Sequence, residues 1–260
     1  MKKKKLLVIK LGGAAMTDDT NLESICLDII SLSKNNNIIL VHGGGPYIKD
    51  YAEKLNFQTR FVEGLRYTDE KILDLAIMIL AGKINKNLVA ILNKNDDKAI
   101  GLSGVDGKLF LSKIVDKDKL GFVGEVISIN SNLFSELLNN EYLPVISSLG
   151  IGENGQILNI NADVLATKIA EEFKADNLIF LSNIKGVLSD LSSENSLIPE
   201  IKTSEIAALI DNKIITSGMI PKILAAKNAV RNGVKEVQII SGENNNLLNL
   251  SKKGTRILKS

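Results

Sequence analysis

Two lysines, one aspartate and three glycine-bearing junctions carry the chemistry available to this sequence. Lys10 sits in an apolar run, Leu6 to Leu11, that is followed directly by Gly12 and Gly13. A glycine pair after a strand lets backbone amides approach an anion at the next turn or helix. A lysine in such a run is costly unless its ammonium reaches a partner, a ligand or water. LVHGGGP (40–46) repeats the arrangement with three glycines and a helix opened by Pro46. Such a bare crossing can cradle carboxylate or phosphate oxygens beside a helix N-terminus. NINAD (159–163) puts Asn159, Asn161 and Asp163 at alternate positions running into a helix, with Asn161 suited to the cap and Asp163 to the first turn. In SGMIPK (217–222), Gly218 stands at a helix start with Lys222 one turn in, a locally unfavourable place for a cation unless an anion binds there.

Phosphoryl transfer suits this set, because its transition state mainly needs charge neutralised on the transferred group and two oxygens held in line. Composition points the same way. The 260 residues hold one His and one Cys, which excludes a two-His metal motif, a histidine relay, a disulfide framework and a Cys-rich zinc site. HGGG can serve as an esterase oxyanion hole, but the chain has neither G-x-S-x-G nor a second His. Gly150-Ile151-Gly152-Glu153-Asn154-Gly155 matches the dinucleotide fingerprint only in letters, since a strand pattern follows it where a helix is required. No P-loop string occurs. A net charge of +2 gives no case for nucleic acid. The basic start, Lys2 to Lys5, precedes an apolar stretch too short for a signal or a span, so a cytoplasmic protein away from membranes is expected.

The elements that must position these residues alternate along the chain. Apolar runs at 6–11, 37–41, 99–104, 143–151, 177–182 and 234–241 read as strands buried on both faces. Between them, 21–33, 46–55, 69–80, 161–173, 203–210 and 218–232 read as amphipathic helices. Strand alternating with helix predicts an α/β fold, a mainly parallel sheet with helices on both faces. The middle differs: 108–116 and 122–130 alternate polar with apolar around a glycine-bearing turn and read as an antiparallel hairpin, with a second hairpin from 147 to 161. Asn35 to Asn37 and Asn244 to Asn246 read as solvent loops.

From VIKLGG (8–13) to GTRIL (254–258), the sequence resembles the amino acid kinase family and, within it, the N-acetylglutamate kinases. LVHGGGP, FVEGLRYTD (61–69), LAGKINKNLV (80–89), LPVISSLGI (143–151), LNINAD (158–163), FLSNIKGVL (180–188), IITSGMIPK (214–222) and KNAVRNG (227–233) carry the likeness. The single glycine loops are family-wide; GLR-x-TD with N-x-N-A-D and GMIPK is specific to acetylglutamate kinases. The resemblance implies a three-layer αβα sandwich, one kinase domain over 1–260, with an acceptor-binding and dimerising lobe at 1–175 and an ATP-binding lobe at 176–260. It implies that ATP, with Mg²⁺, phosphorylates the side-chain carboxylate of N-acetyl-L-glutamate in arginine biosynthesis. Lys10 and Lys222 would stabilise the phosphoryl group and Asp163 would organise them. Gly44 and Gly45 would hold the acylated amino acid and the γ-phosphate region, with Gly12 and Gly13 nearby on the ATP side. Arg66 would pair with the α-carboxylate as a bidentate fork, and Asn159 would hydrogen-bond the same substrate. Asn183, Ile184, Lys185, Gly186, Val187, Leu188, Ile214, Ile215 and Thr216 would border ATP.

Two positions depart from the resemblance. At Asn183-Ile184-Lys185 many relatives carry an acid directly after the Ser, and Tyr67 is often a small aliphatic. Arginine-inhibited relatives have an extra N-terminal helix; with strand one beginning by Leu6, the expectation is a homodimer without arginine feedback. Two alternatives stand beside this reading. One is a related kinase acting on an aminoadipate or glutamate linked to a carrier protein. The other is a silent member of the fold that senses amino acids.

Overall fold

Helix and strand starts follow local chemistry closely. The computed structural model describes residues 4–16, 18–94, 98–190, 193, 196–215, 219–242, 247 and 253–260. Its first third holds β1 (Lys5–Leu11), α1 (Asp19–Ser33), β2 (Asn36–His42), α2 (Gly45–Lys54), β3 (Phe61–Val62), β4 (Leu65–Arg66), α3 (Glu70–Ile77) and α4 (Asn85–Asn93). The middle adds β5 (Ala99–Leu102), β6 (Phe110–Ile114), α5 (Lys117–Leu120), β7 (Val123–Ile129), α6 (Ser131–Asn139), β8 (Leu143–Ser147), β9 (Leu149–Ile151) and β10 (Ile157–Ile160). The remainder is α7 (Ala162–Glu172), β11 (Asn177–Ser182), β12 (Glu200–Lys202), α8 (Ile206–Asp211), α9 (Ile220–Arg231), β13 (Glu236–Ser241) and β14 (Thr255–Leu258). The Asn244–Asn246 loop, Thr216 and Gly218 lie outside the described residues.

The chain forms two compact units, 1–37 with 166–260, and 38–165. This grouping differs from a split at 175/176 because β1 takes β11 as its parallel neighbour, Leu7 opposite Asn177 through Leu11 opposite Leu181. In the first unit β1, β11 and β13 run parallel, and β14 lies antiparallel to β13 and parallel to β12. Leu178, Ile179, Leu181, Val237 and Ile239 have essentially no exposed surface, the burial expected of central parallel strands. The mainly parallel α/β class expected from the sequence is therefore present.

In the second unit β2, β8 and β5 run parallel, while β10, β7, β6 and β9 close into a small barrel. Both expected hairpins are there, β6 with β7 and β9 with β10. The first turns through α5 and ends at Gly121, whose φ of +69° only glycine adopts without strain. Three expectations need correction. The run 143–151 is two strands, because the chain leaves the parallel set after Ser147 and enters the barrel at Leu149. The loop at Asn35–Asn37 is half strand: Asn36 and Asn37 begin β2, and Asn36 Nδ2 donates to Leu32 O at 2.9 Å.

The expected helix at 69–80 is also longer. Asp69 caps it by accepting from Ile72 N at 2.9 Å, and helical backbone then continues through a π-helical segment, Met78–Ile84, into α4. Residues 70–93 are long and apolar enough to cross a membrane by length and composition. Ile72, Leu75, Ile79, Ile84, Leu88 and Leu92 are all buried in this unit, so a core helix accounts for the pattern.

Candidate active site

The residues singled out by sequence fall into two sets, one in each unit. In the first unit, parallel register sets Lys10 of β1 against Phe180 of β11, so the two side chains share a face. Lys222 reaches the same place from the third residue of α9, its Nζ 5.4 Å from the centroid of the Phe180 ring, within cation–π range. Pro221 pre-sets the first turn of that helix. The buried Phe180 is thus the register neighbour of Lys10 and the ring against which Lys222 packs.

The glycines after β1 are needed for backbone approach. Gly12 N donates to Leu181 O at 2.9 Å, and a Cβ there would lie 2.7 Å from the same oxygen. Gly13 opens a short 3₁₀ turn, Gly13–Met16. Beside it stands a junction that sequence reasoning missed: Gly242 N donates to Ser182 O at 2.7 Å, and Asn21 Nδ2 donates to Gly242 O at 2.6 Å. The carboxyl ends of β1, β11 and β13 therefore meet in one place, where open α/β sheets bind ligands. A single glycine after the last parallel strand was too weak a signal to find in the sequence.

The stretch 183–188 divides in two. Asn183 and Lys185 are exposed, whereas Gly186 and Val187 are buried. Val187 N donates to the Thr255 hydroxyl at 2.8 Å, and Ile198 N to Val187 O at 2.8 Å. A Cβ on Gly186 would meet the Thr255 backbone at 3.0 Å. Gly186 and Val187 thus anchor the loop, leaving Asn183 to Lys185 as its accessible part. Leu188 bridges to Leu197, Ile214 is half-buried and Ile215 is buried.

In the second unit, Gly43 and Gly44 join β2 to α2. A Cβ on Gly44 would stand 2.5 Å from Ile84 Cδ1 and 2.6 Å from Leu80 Cδ2, so the helical run 70–93 lies directly over the glycines. Arg66, on the β3–β4 ribbon, donates from Nη2 to Gly45 O at 3.0 Å and packs 4.7 Å from the Phe61 ring centroid. Its Nη1 is buried and has no hydrogen-bond partner. Desolvation lowers the guanidinium pKa, which marks the cost of holding this charge out of water. Asn159 Nδ2 donates to the Thr68 hydroxyl at 3.1 Å, and Thr68 in turn donates to Arg66 O at 2.9 Å. Arg66 and Asn159 are thereby linked through a residue to which sequence reasoning gave no role. Asn161 caps α7 as expected, accepting from Asp163 N at 2.9 Å and Val164 N at 3.2 Å, with Asp163 in the first turn.

The lone His42 is scaffold. Asn85 Nδ2 donates to Val145 O at 2.9 Å and lies 3.2 Å from His42 Nε2, which must therefore accept. The ring proton then sits on Nδ1 and goes to Gly43 O at 3.0 Å. Burial lowers the pKa to about 4, so this neutral ring braces the glycine junction. Cys26 is buried in α1 with its thiol pushed up to about 12, which leaves it inert packing. Tyr67 has a structural explanation as well: the Arg60 guanidinium stacks 3.9 Å from its ring centroid.

Residues 5–241 match the profile of the amino acid kinase family. An acetylglutamate kinase of Clostridium kluyveri is 41% identical over 240 residues, spanning 92% of this chain and 85% of that protein. One from Caldicellulosiruptor saccharolyticus is 42% identical over 246 residues, spanning 92% and 83%. Among solved structures, a Streptococcus mutans protein superposes with a TM-score of 0.80 at 33% identity, covering 97% of this chain and 98% of its own. The carbamate kinase of Giardia lamblia bound to AMP-PNP gives 0.75 at 20% identity over the whole of both chains, a likeness of fold alone.

Proposed function

The chain belongs to the amino acid kinase family, and on that premise we propose that it transfers the γ-phosphoryl group of ATP to the side-chain carboxylate of N-acetyl-L-glutamate. The observation that carries the acceptor is Arg66, a half-buried guanidinium whose Nη1 is itself buried and lacks a hydrogen-bond partner beside Gly45. A buried unpaired N–H on a cation is expensive, and a planar carboxylate satisfies it as a fork. The acetylglutamate kinase relatives favour this acceptor over a carrier-linked aminoadipate or glutamate.

The remaining assignments rest on the resemblance and on local geometry. Arg66 takes the α-carboxylate, Asn159 hydrogen-bonds the same molecule, and the amides of Gly44 and Gly45 face its reacting end. Lys10 and Lys222 stabilise charge on the transferring group, with Asp163 organising them. The backbone at Gly12 and Gly13, the accessible Asn183 to Lys185, Leu188, and the 214–216 stretch border the nucleotide; Gly186 and Val187 support that loop from beneath. The acceptor carboxylate is ionised at neutral pH, so no general base is needed. It attacks the γ-phosphorus in line, the bond from that phosphorus to the β–γ bridging oxygen breaks, ADP leaves with the bond's electron pair, and the acyl phosphate forms.

Among the described residues no cluster of acidic, His or Cys side chains could hold a metal ion. Mg²⁺ would enter with the nucleotide, held by its phosphate oxygens, and would neutralise part of their charge. A role in arginine biosynthesis and a homodimer, both from the resemblance, and a cytoplasmic location, from the N-terminal sequence, complete the proposal; sedimentation tests the dimer.

A coupled ADP-release assay with N-acetylglutamate, glutamate, aspartate and carbamate side by side tests the acceptor. Release with N-acetylglutamate far above the other three is expected. Equal or greater release with any of them overturns the assignment.

A further inference from the structure

We propose that Thr68 is a positioning residue that locks the Asn159 amide with its oxygen, not its nitrogen, presented to the substrate. The inference rests on the acceptor assigned above. It follows from a chain of hydrogen bonds whose direction chemistry dictates. The Arg66 carbonyl can only accept, so the Thr68 hydroxyl proton, 2.9 Å away, is committed to it. The same hydroxyl oxygen then has only lone pairs to offer Asn159, 3.1 Å away, and that contact must come from Nδ2–H. Asn159 Oδ1 is left as the outward group of the amide.

Both ends of this relay are fixed. Thr68 has no exposed surface. Its N–H donates to Leu120 O at 3.0 Å and its carbonyl accepts from Phe122 N at 2.7 Å. Asn159 N donates to Phe122 O at 2.9 Å, so the strip 120–122 holds both residues. Gly121 is what lets that strip pass: a Cβ there would lie 2.2 Å from Thr68 O. A rotation of the Asn159 amide would set Oδ1 against the Thr68 lone pairs and leave a contact with no proton in it.

The consequence is a division of labour within the acceptor site. Arg66, all donors, takes the α-carboxylate. Asn159, presenting an acceptor, takes a donor, and the acetamido N–H is the donor that an acylated amino acid supplies. Thr68 touches neither group and acts through Asn159.

The test compares N-acetylglutamate with 2-acetoxyglutarate, in which an ester oxygen replaces the N–H. Wild type should prefer the amide at least about tenfold in kcat/KM, since the ester sets acceptor against acceptor. Thr68→Ser keeps the hydroxyl and should retain that preference within about threefold. Thr68→Val keeps the shape but frees the Asn159 amide to turn; the preference should fall toward one, through KM for the acceptor, with KM for ATP within about twofold. A merely structural loss would lower both substrates together and leave their ratio intact. A wild-type ratio in Thr68→Val, loss of the ratio in Thr68→Ser, or a ratio near one in wild type each overturns the inference. Should Thr68→Val fail to fold, the wild-type and Thr68→Ser ratios decide it. Absence of any turnover of N-acetylglutamate by wild type contradicts the functional assignment itself and is read separately.

Discussion

Lys222 holds its ammonium 5.4 Å from the centroid of the Phe180 ring, and Phe180 is the residue that parallel register places opposite Lys10. Phe180 thus stands next to both, by register to Lys10 and by ring contact to Lys222, two lysines about 210 positions apart in sequence within a single unit. Phe180, at 1% exposure, is a fixed platform.

Charge stabilisation by the two lysines gives the first prediction. Lys10→Ala or Lys222→Ala should lower kcat by ~10²–10³ or more, the range for losing one preorganised stabiliser of a developing charge. Steady-state kinetics at saturating ATP and acceptor measure it. A kcat near wild type in either variant contradicts the role.

Arg66→Lys should act mainly on KM for the acceptor. The ammonium keeps the charge, but the planar fork toward the carboxylate and the stacking on Phe61 are lost. About a tenfold or greater rise is expected, with kcat changed much less. An unchanged KM would place the carboxylate elsewhere.

Gly12→Ala should cost both stability and turnover. The added methyl would meet the Leu181 carbonyl at 2.7 Å, and that neighbour is backbone in the centre of a parallel sheet, with no freedom to swing away. A loss of about 1–3 kcal/mol is expected for such overpacking, read as a lower midpoint in chemical denaturation. Gly64→Ala, at a φ of +80° but with open space around it, separates conformational strain from the steric clash: it should lose less and keep its activity.

His42 sets a pH dependence of stability. The unfolded chain takes up the imidazole proton near its ordinary 6.5, whereas the folded protein resists it until about 4. Between those values the unfolded state binds more protons, so stability falls as the pH drops from 6.5 to 4 and is unaffected by this group above 6.5. The full effect is on the order of 3 kcal/mol. His42→Gln should be less stable than wild type at pH 7.5 yet show a flatter profile from 6.5 to 4. An equally steep profile in the variant would assign the dependence to other groups.

Much of this was legible in the sequence because parallel strands and helix starts carry local signals. Lys10, the three glycines and the Asn161 cap all lie where strand-to-helix junctions were read. What stayed hidden depends on pairings between distant segments. Nothing local marks Phe180 as the neighbour of both lysines, since that follows from β1 lying beside β11 and from Lys222 packing on the ring. Thr68 looked like one letter of a motif, and only the 120–122 strip and Asn159 reveal its hydroxyl as a relay. The break after Ser147 shows in the sequence only as the start of the second hairpin; within the run 143–151 nothing marks it, because both strands it separates are apolar and largely buried. The continuation of α3 into α4 runs past the expected end at Leu80, where the backbone widens into the π-helical segment Met78–Ile84 that no regular helical period announces.

The central claim is that this protein makes an acyl phosphate on the side-chain carboxylate of N-acetylglutamate. Hydroxylamine trapping tests it most directly: incubation with ATP, Mg²⁺, N-acetylglutamate and hydroxylamine should yield the side-chain hydroxamate, one per ADP released, and Lys222→Ala should nearly abolish it. ADP release without hydroxamate, or hydroxamate formed on another acceptor in preference, would contradict the account.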